Sequence, residues 1–254
     1  MINPPKEIFK NVTHGTFYSK IIEQKIGYNI YLPFGYEEGG KRYPVFYHLH
    51  GWGGNESTDL RICDNKAYNK GDAIIVFPNA TGENGYRDYK LPIETIIVNE
   101  LIPFIDEQYR TEPNRNNRFL SGYSMGGAGA FYYAVKYPEL FGSVTSYAGT
   151  FHHFLHADFP VGESPVKIPG LYECIMGDVS YFEENSILYM LKQNAKKICN
   201  NVRIKIYIGT ADILFAENEI MHLYLDSLDI PHEYLVFEKV EHSLNQILQK
   251  VSAI

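Results

Sequence analysis

Two kinds of apolar pattern alternate along this 254-residue chain. Short runs rich in β-branched and aromatic residues predict strands over Lys25–Leu32, Pro44–His50, Ala73–Pro78, Arg118–Gly122, Ser143–Ala148, Arg203–Gly209 and His232–Phe237. Longer amphipathic stretches predict helices over Ile93–Glu107, Met125–Tyr137, Ile187–Cys199, Ala216–Leu228 and His242–Val251. Such alternation implies a mostly parallel central sheet with helices on both faces. Several strands are apolar nearly throughout, as burial on both faces demands. Phe17–Glu23 and Lys25–Tyr31, parted by about one polar position, predict an antiparallel edge at the N-terminal side. Residues 150–184 hold Pro160, Gly162, Pro165, Pro169 and Gly170 without periodicity and read as a lid or substrate-binding insertion. No repeat, low-complexity tract or linker divides the rest, so residues 1–254 are expected to form a single α/β domain.

Composition narrows the class. Apolar residues make up 45% and charged residues 21%, the balance of a globular protein. The net charge of −7 comes without a basic cluster, which argues against nucleic acid as a partner. No run approaches the roughly 20 apolar residues of a membrane span, and the first ten residues lack a signal-peptide core, so a cytoplasmic protein or a mature exported form is expected. Three cysteines, Cys63, Cys174 and Cys199, have no metal-type spacing and are expected as buried free thiols, with a single bridge as the alternative. Aromatics are abundant, with 21 Tyr and 15 Phe, which reads first as a Tyr-rich surface and core and second as a cleft lined for sugars or aromatic acyl groups.

The chemistry centres on Gly122-Tyr123-Ser124-Met125-Gly126-Gly127. A short apolar strand precedes it and an Ala-rich helical stretch follows. In that context G-x-S-x-G places a serine at a sharp strand-to-helix turn, where flanking side chains would strike neighbouring backbone. The helix start behind the serine offers N–H groups and a positive dipole end to a developing oxyanion. Ser124 is therefore the candidate nucleophile.

A hydroxyl needs a base, and the base an orienting carboxylate, in the chain order Ser, Asp or Glu, His. Asp212 follows the strand Arg203–Gly209 and His242 follows His232–Phe237, which puts both at the carboxyl edge of the sheet. Asp178, in Met176-Gly177-Asp178, is the competing carboxylate. Among the other histidines, His14, His222 and His232 read as solvated or structural, and His50 as shaping the turn beside it. His152, His153 and His156 suit substrate contact better than a metal, for no carboxylate-rich or cysteine partner accompanies them. No metal or organic cofactor is called for. Gly51-Trp52-Gly53-Gly54, after the strand Pro44–His50, is the expected source of one oxyanion donor, Trp52 N–H; Met125 N–H is the other. Tyr86, Tyr89 and Tyr123, with His152 and His153, are candidate substrate contacts.

With these residues placed, the chain resembles the esterase D-like family that includes the feruloyl and acetyl xylan esterases of carbohydrate esterase family one. The likeness covers almost the whole chain. It rests on Tyr31-Leu32-Pro33-Phe34-Gly35-Tyr36, His48-Leu49-His50-Gly51-Trp52-Gly53-Gly54, Glu100-Leu101-Ile102-Pro103-Phe104-Ile105-Asp106, the Ser124 motif and Gly209-Thr210-Ala211-Asp212. It implies an α/β-hydrolase fold and a catalytic triad of Ser124, Asp212 and His242, with oxyanion donors at Trp52 and Met125. It implies a serine esterase acting on small-molecule or carbohydrate esters, with feruloyl or acetyl esters of xylan as the leading substrates. An acyltransferase or an S-formylglutathione hydrolase-like thioesterase is the alternative on the same fold. The stretch Lys239-Val240-Glu241-His242 departs from the family's G-x-x-H.

Overall fold

The structure, a computed structural model, describes residues 1–7, 9–65, 72–80, 85–88, 91–151 and 185–253. Among them eight strands form one sheet: β1 (Val12–Ser19), β2 (Gln24–Tyr31), β3 (Val45–Leu49), β4 (Ile74–Pro78), β5 (Arg118–Tyr123), β6 (Ser143–Tyr147), β7 (Arg203–Gly209) and β8 (His232–Phe237), in the order β1-β2-β4-β3-β5-β6-β7-β8. The pairs β1·β2 and β2·β4 are antiparallel, and every later pair is parallel. This is the α/β-hydrolase architecture.

Alternation along the central strands divides the core between the two faces. In β4, Ile74 and Val76 join the cluster under Met125–Lys136, whereas Ile75 and Phe77 join a second cluster with Leu60, Ile62 and Leu244–Leu248. Helices on both faces are thus required to cover the sheet. They are α1 (Ile93–Ile96), which runs through a π-turn (Ile97–Leu101) into α2 (Ile102–Gln108), then α3 (Met125–Lys136), α4 (Ile187–Asn201), α5 (Phe215–Ser227) and α6 (Leu244–Val251). Pro103 accounts for the π-turn: it has no N–H to bond Asn99 and its ring crowds that carbonyl, so the preceding turn widens.

The N-terminal edge is antiparallel, but its first strand is Val12–Ser19 rather than Phe17–Glu23. Lys20–Glu23 form the turn, whose Lys20 and Ile21 N–H groups donate to Glu100 Oε1 at 2.8 and 3.2 Å. That tertiary acceptor, and a strand with only Phe17 and Ser19 buried, left no alternation to read. Cys63 is buried, and burial pushes its thiol up to about 12. Cys199 is exposed, because it lies on the solvent side of α4. Cys174 and the lid assigned to 150–184 fall outside the described residues, apart from Thr150 and Phe151. Among the described residues no helix is long and apolar enough to cross a membrane.

Candidate active site

Strand β5 ends at Tyr123 and α3 begins at Met125, so the chain reverses on one residue. Ser124 has φ 55° and ψ −120°, a conformation costly for any residue with a Cβ. Sterics enforce it. A Cβ on Gly122 would stand 2.2 Å from Gly126 O, and one on Gly126 only 1.9 Å from Leu49 O. Both glycines are therefore set by close backbone approach. The strained residue is held on both sides: its N–H donates to Tyr147 O at 2.9 Å, and its carbonyl accepts from Ala128 and Thr150 at 3.1 and 3.2 Å.

The second element is the loop after β7. Asp212 is buried, and its Oδ1 accepts the Leu214 N–H at 2.8 Å, which ties the carboxylate to the start of α5. The third is the loop after β8. His242 precedes Ser243, which caps α6 by accepting the Gln246 N–H, while Gln246 Oε1 accepts the Glu241 N–H at 3.2 Å. This reciprocal cap brackets His242 and starts the helix at Leu244, two residues later than its amphipathic pattern suggests. The two loops are braced together, since Ala211 N–H donates to Val240 O and a Cβ on Gly209 would lie 1.9 Å from that same oxygen.

The three side chains meet. Ser124 Oγ lies 3.0 Å from His242 Nε2, and His242 Nδ1 lies 2.9 and 3.0 Å from the two oxygens of Asp212. An ionised carboxylate only accepts, so it holds the imidazole proton on Nδ1 and leaves Nε2 with its lone pair toward the serine. Tyr123 supports the imidazole from the side, with ring centroids 4.9 Å apart and planes 30° from parallel. Thr150 Oγ1 approaches Ser124 Oγ at 3.4 Å. Sequence reasoning placed Thr150 at the head of the insertion and gave it no role.

The glycine loop abuts the serine, for a Cβ on Gly51 would reach Ser124 Cβ at 3.5 Å. Met125 opens α3, so its N–H has no acceptor within the helix. Trp52 occupies the loop between Gly51 and the Gly54 N–H bond to Gly51 O, with its indole half exposed. The loop is anchored from beneath. His50 Nδ1 donates to Gly51 O at 2.9 Å and its Nε2 accepts the Ala80 N–H at 3.2 Å, which fixes a neutral tautomer; burial also pulls its pKa down. Glu56, which sequence reasoning overlooked, is buried with Asn79 Nδ2 and the Asn3 N–H both at 2.5 Å. It has no local signature, since its partners come from three separate segments.

Tyr86 is a correction. It was expected at the mouth, but it is 2% exposed, donates its hydroxyl to His50 O at 2.8 Å and fills the space over Gly129. It supports the glycine loop and cannot reach substrate. His152, His153, His156, Tyr89 and Asp178 lie outside the described residues. A second Ser, His and Asp grouping exists, with His48 Nδ1 2.9 Å from Ser121 Oγ and Nε2 3.4 Å from Asp59 Oδ2. His48 and Ser121 are both 1% exposed, which closes that grouping to substrate.

Comparisons with known proteins bear on this arrangement. Residues 19–222 match the model of the Esterase family, described as "Putative esterase". Esterase Rv1288 of Mycobacterium tuberculosis is 33% identical over 145 residues, covering 52% of this chain and 31% of that protein. An endo-1,4-beta-xylanase/feruloyl esterase of Xylanibacter ruminicola is 31% identical over 157 residues, covering 52% and 21%. The matched region thus spans a third or less of the curated relatives' own length. Among solved structures, a ferulic acid esterase superposes with a TM-score of 0.73 at 24% identity, covering 95% of this chain and 98% of the other. FphF, a fluorophosphonate-binding serine hydrolase of Staphylococcus aureus, gives 0.79 at 19% identity, covering 95% of each. At these identities the structural likeness establishes the fold.

Proposed function

The chain belongs to the Esterase family, and on that premise we propose that it hydrolyses carboxylic esters through a covalent acyl intermediate on Ser124. The observation that carries this reading is the continuous hydrogen-bonded line from Ser124 Oγ through His242 to Asp212. His242 Nε2 takes the Ser124 proton as Oγ attacks the ester carbonyl. The carbonyl oxygen becomes an oxyanion, which Met125 and Trp52 N–H groups stabilise. Collapse expels the alcohol, which leaves with the proton held on Nε2. Water then enters, gives a proton to the same nitrogen and attacks the acyl carbon, and the second collapse returns the proton to Ser124 and frees the acid.

Asp212 keeps Nδ1 protonated throughout and balances the imidazolium that forms twice per cycle. Tyr123, packed against the imidazole, restricts its rotation between attack and proton return. Neither step calls on a metal or organic cofactor, because proton transfer and oxyanion stabilisation are both assigned to groups of this chain.

The substrate we propose is a small-molecule or carbohydrate ester, with feruloyl or acetyl esters of plant cell-wall polysaccharide first. Its support is the similarity over half the chain to a relative named as a xylanase and feruloyl esterase. The purified chain should hydrolyse p-nitrophenyl acetate and release ferulate from methyl ferulate or feruloylated arabinoxylan. Ser124→Ala should lose about a million-fold in kcat and all labelling by a fluorophosphonate probe. Acetate release without any ferulate would sink the feruloyl assignment. Activity on S-formylglutathione alone, or acyl transfer to added alcohol in preference to water, would redirect the reading to a thioesterase or an acyltransferase.

A further inference from the structure

Three ligand-type side chains meet at the far end of β8. His222 and Asp226 stand one turn apart on the same face of α5, and His232 is the first residue of β8. One ligand atom from each lies within 4.8 Å of the other two. His222 Nδ1 is 2.7 Å from His232 Nε2, and Asp226 oxygens lie 3.6 Å from His222 Nε2 and 4.0 Å from His232 Nε2.

The protonation of His232 follows from its other nitrogen. Its Nδ1 lies 2.8 Å from Ile230 O, a carbonyl that can only accept, so Nδ1 carries the hydrogen and Nε2 presents a lone pair to His222. A backbone carbonyl accepting from one nitrogen, with the lone pair on the other turned toward a second ligand, is how ligating histidines are oriented. The His222 ring is stacked on Tyr234 with centroids 4.4 Å apart and planes within 18°. Exposure is graded across the group: the side chain of His232 is 3% accessible, His222 28% and Asp226 58%. The cluster thus has a buried inner ligand, a partly buried second one and an exposed carboxylate on the side from which an ion can enter.

We propose that His222, Asp226 and His232 form a binding site for a divalent transition-metal ion such as zinc. Two imidazoles and a carboxylate are borderline ligands that suit zinc, nickel or copper better than magnesium or calcium. Nitrogens bound to one tetrahedral zinc at about 2.0 Å sit roughly 3.3 Å apart. The two rings must therefore part by about half an ångström as the ion takes the place of the hydrogen between them, which moves to His222 Nε2 on the Asp226 side so that the ring stays neutral. His222, the more exposed ring, makes that movement. Water completes the coordination on the open side.

The site's place in the fold gives the ion a structural task. α5 leads away from the Asp212 loop and β8 leads into the His242 loop, while the ion joins them at the opposite end of the strand. Among the described residues β8 is the last strand of the sheet, hydrogen-bonded on one side by β7. An ion held only by the folded chain stabilises that edge by mass action. This inference does not depend on the reading of Ser124.

The test is calorimetric titration of the full chain, stripped with chelator, with zinc chloride at pH 7.5, paired with thermal unfolding. One zinc per chain and a higher Tm with zinc are expected. His222→Ala and Asp226→Ala change the two more accessible side chains of the group, are expected to fold, and should each weaken zinc binding at least about tenfold and remove the Tm gain. Affinity should also fall as pH drops, since protons compete for the imidazoles. Hydrolysis of p-nitrophenyl acetate should be the same in the variants as in the unaltered chain. Absence of zinc binding, or binding with unchanged affinity in both variants, overturns the proposal.

Discussion

The β5–α3 turn and the paired loops after β7 and β8 deliver their side chains to one point by different means. Ser124 is positioned by backbone crowding: two glycines leave no room for side chains, and a single residue is forced to positive φ. Asp212 and His242 are positioned by polar contacts, namely the Leu214 N–H, the Ser243 and Gln246 cap, and the brace at Val240. Crowding fixes a position rigidly and tolerates no added atom. Polar bracing fixes an orientation and fails by degrees. The difference teaches where each kind of damage should appear, in folding for the turn and in turnover for the loops.

The largest effect should come from the polar side. In Asp212→Asn the amide can donate where the carboxylate only accepted, which allows Nδ1 to lose its proton and Nε2 to hold it toward Ser124. The base is then in the wrong tautomer. We expect kcat on p-nitrophenyl acetate to fall about 10^4-fold with little change in Tm. A fall of less than tenfold would mean that another group orients His242.

Next comes the crowded side. Gly126→Ala places a methyl carbon 1.9 Å from Leu49 O and 2.6 Å from His50 O, both backbone atoms that cannot swing away. Relief requires moving β3 against α3, so the cost should exceed about 4 kcal/mol, at the extreme of single substitutions. For a chain of this size that lowers Tm by roughly 10 °C or more. A nearly unaltered melting curve would show that the turn yields, and the contrast between the two regions would collapse.

These two regions also differ in how far the sequence discloses them. The requirements of the turn are local, so Gly122, Ser124 and Gly126 carried them within five residues. Asp212 and His242 were legible one level up, from the order of strands and from which strand each one follows. What escaped were fits between distant segments. Tyr86 was grouped with the aromatics of the mouth because nothing near it discloses the gap over Gly129, forty-odd residues on, that receives its ring. Glu56 draws partners from Asn3, His14 and Asn79, and the first strand was shifted because its turn is secured by Glu100. His222 and His232 read as separate structural histidines because they lie on different elements and meet only once β8 folds back along α5.

Gly209→Ala probes the seam between the two modes. Its Cβ would stand 1.9 Å from Val240 O, so the crowding here acts on a loop and not on a core strand. The loop can shift, and His242 lies two residues beyond the oxygen that is pushed. A displacement near 1 Å should cost about 100-fold in kcat, with a Tm loss well below that of Gly126→Ala. Equal damage to stability in the two variants would show that the His242 loop is as rigid as the turn.

Gly53→Ala should do least. Gly53 has φ +72°, but an added Cβ meets nothing within 4 Å, so the substitution introduces strain without a clash. Holding alanine in the left-handed region costs on the order of 1 kcal/mol. Since the Gly51 to Gly54 turn carries the Trp52 N–H, some of that strain should be relieved by tilting the donor. The expected result is a several-fold drop in kcat at unchanged KM, because a donor aimed at the oxyanion acts in the transition state and not on the bound ester. A rise in KM with kcat preserved would place Trp52 in ground-state binding, and the oxyanion would then rest on Met125 alone.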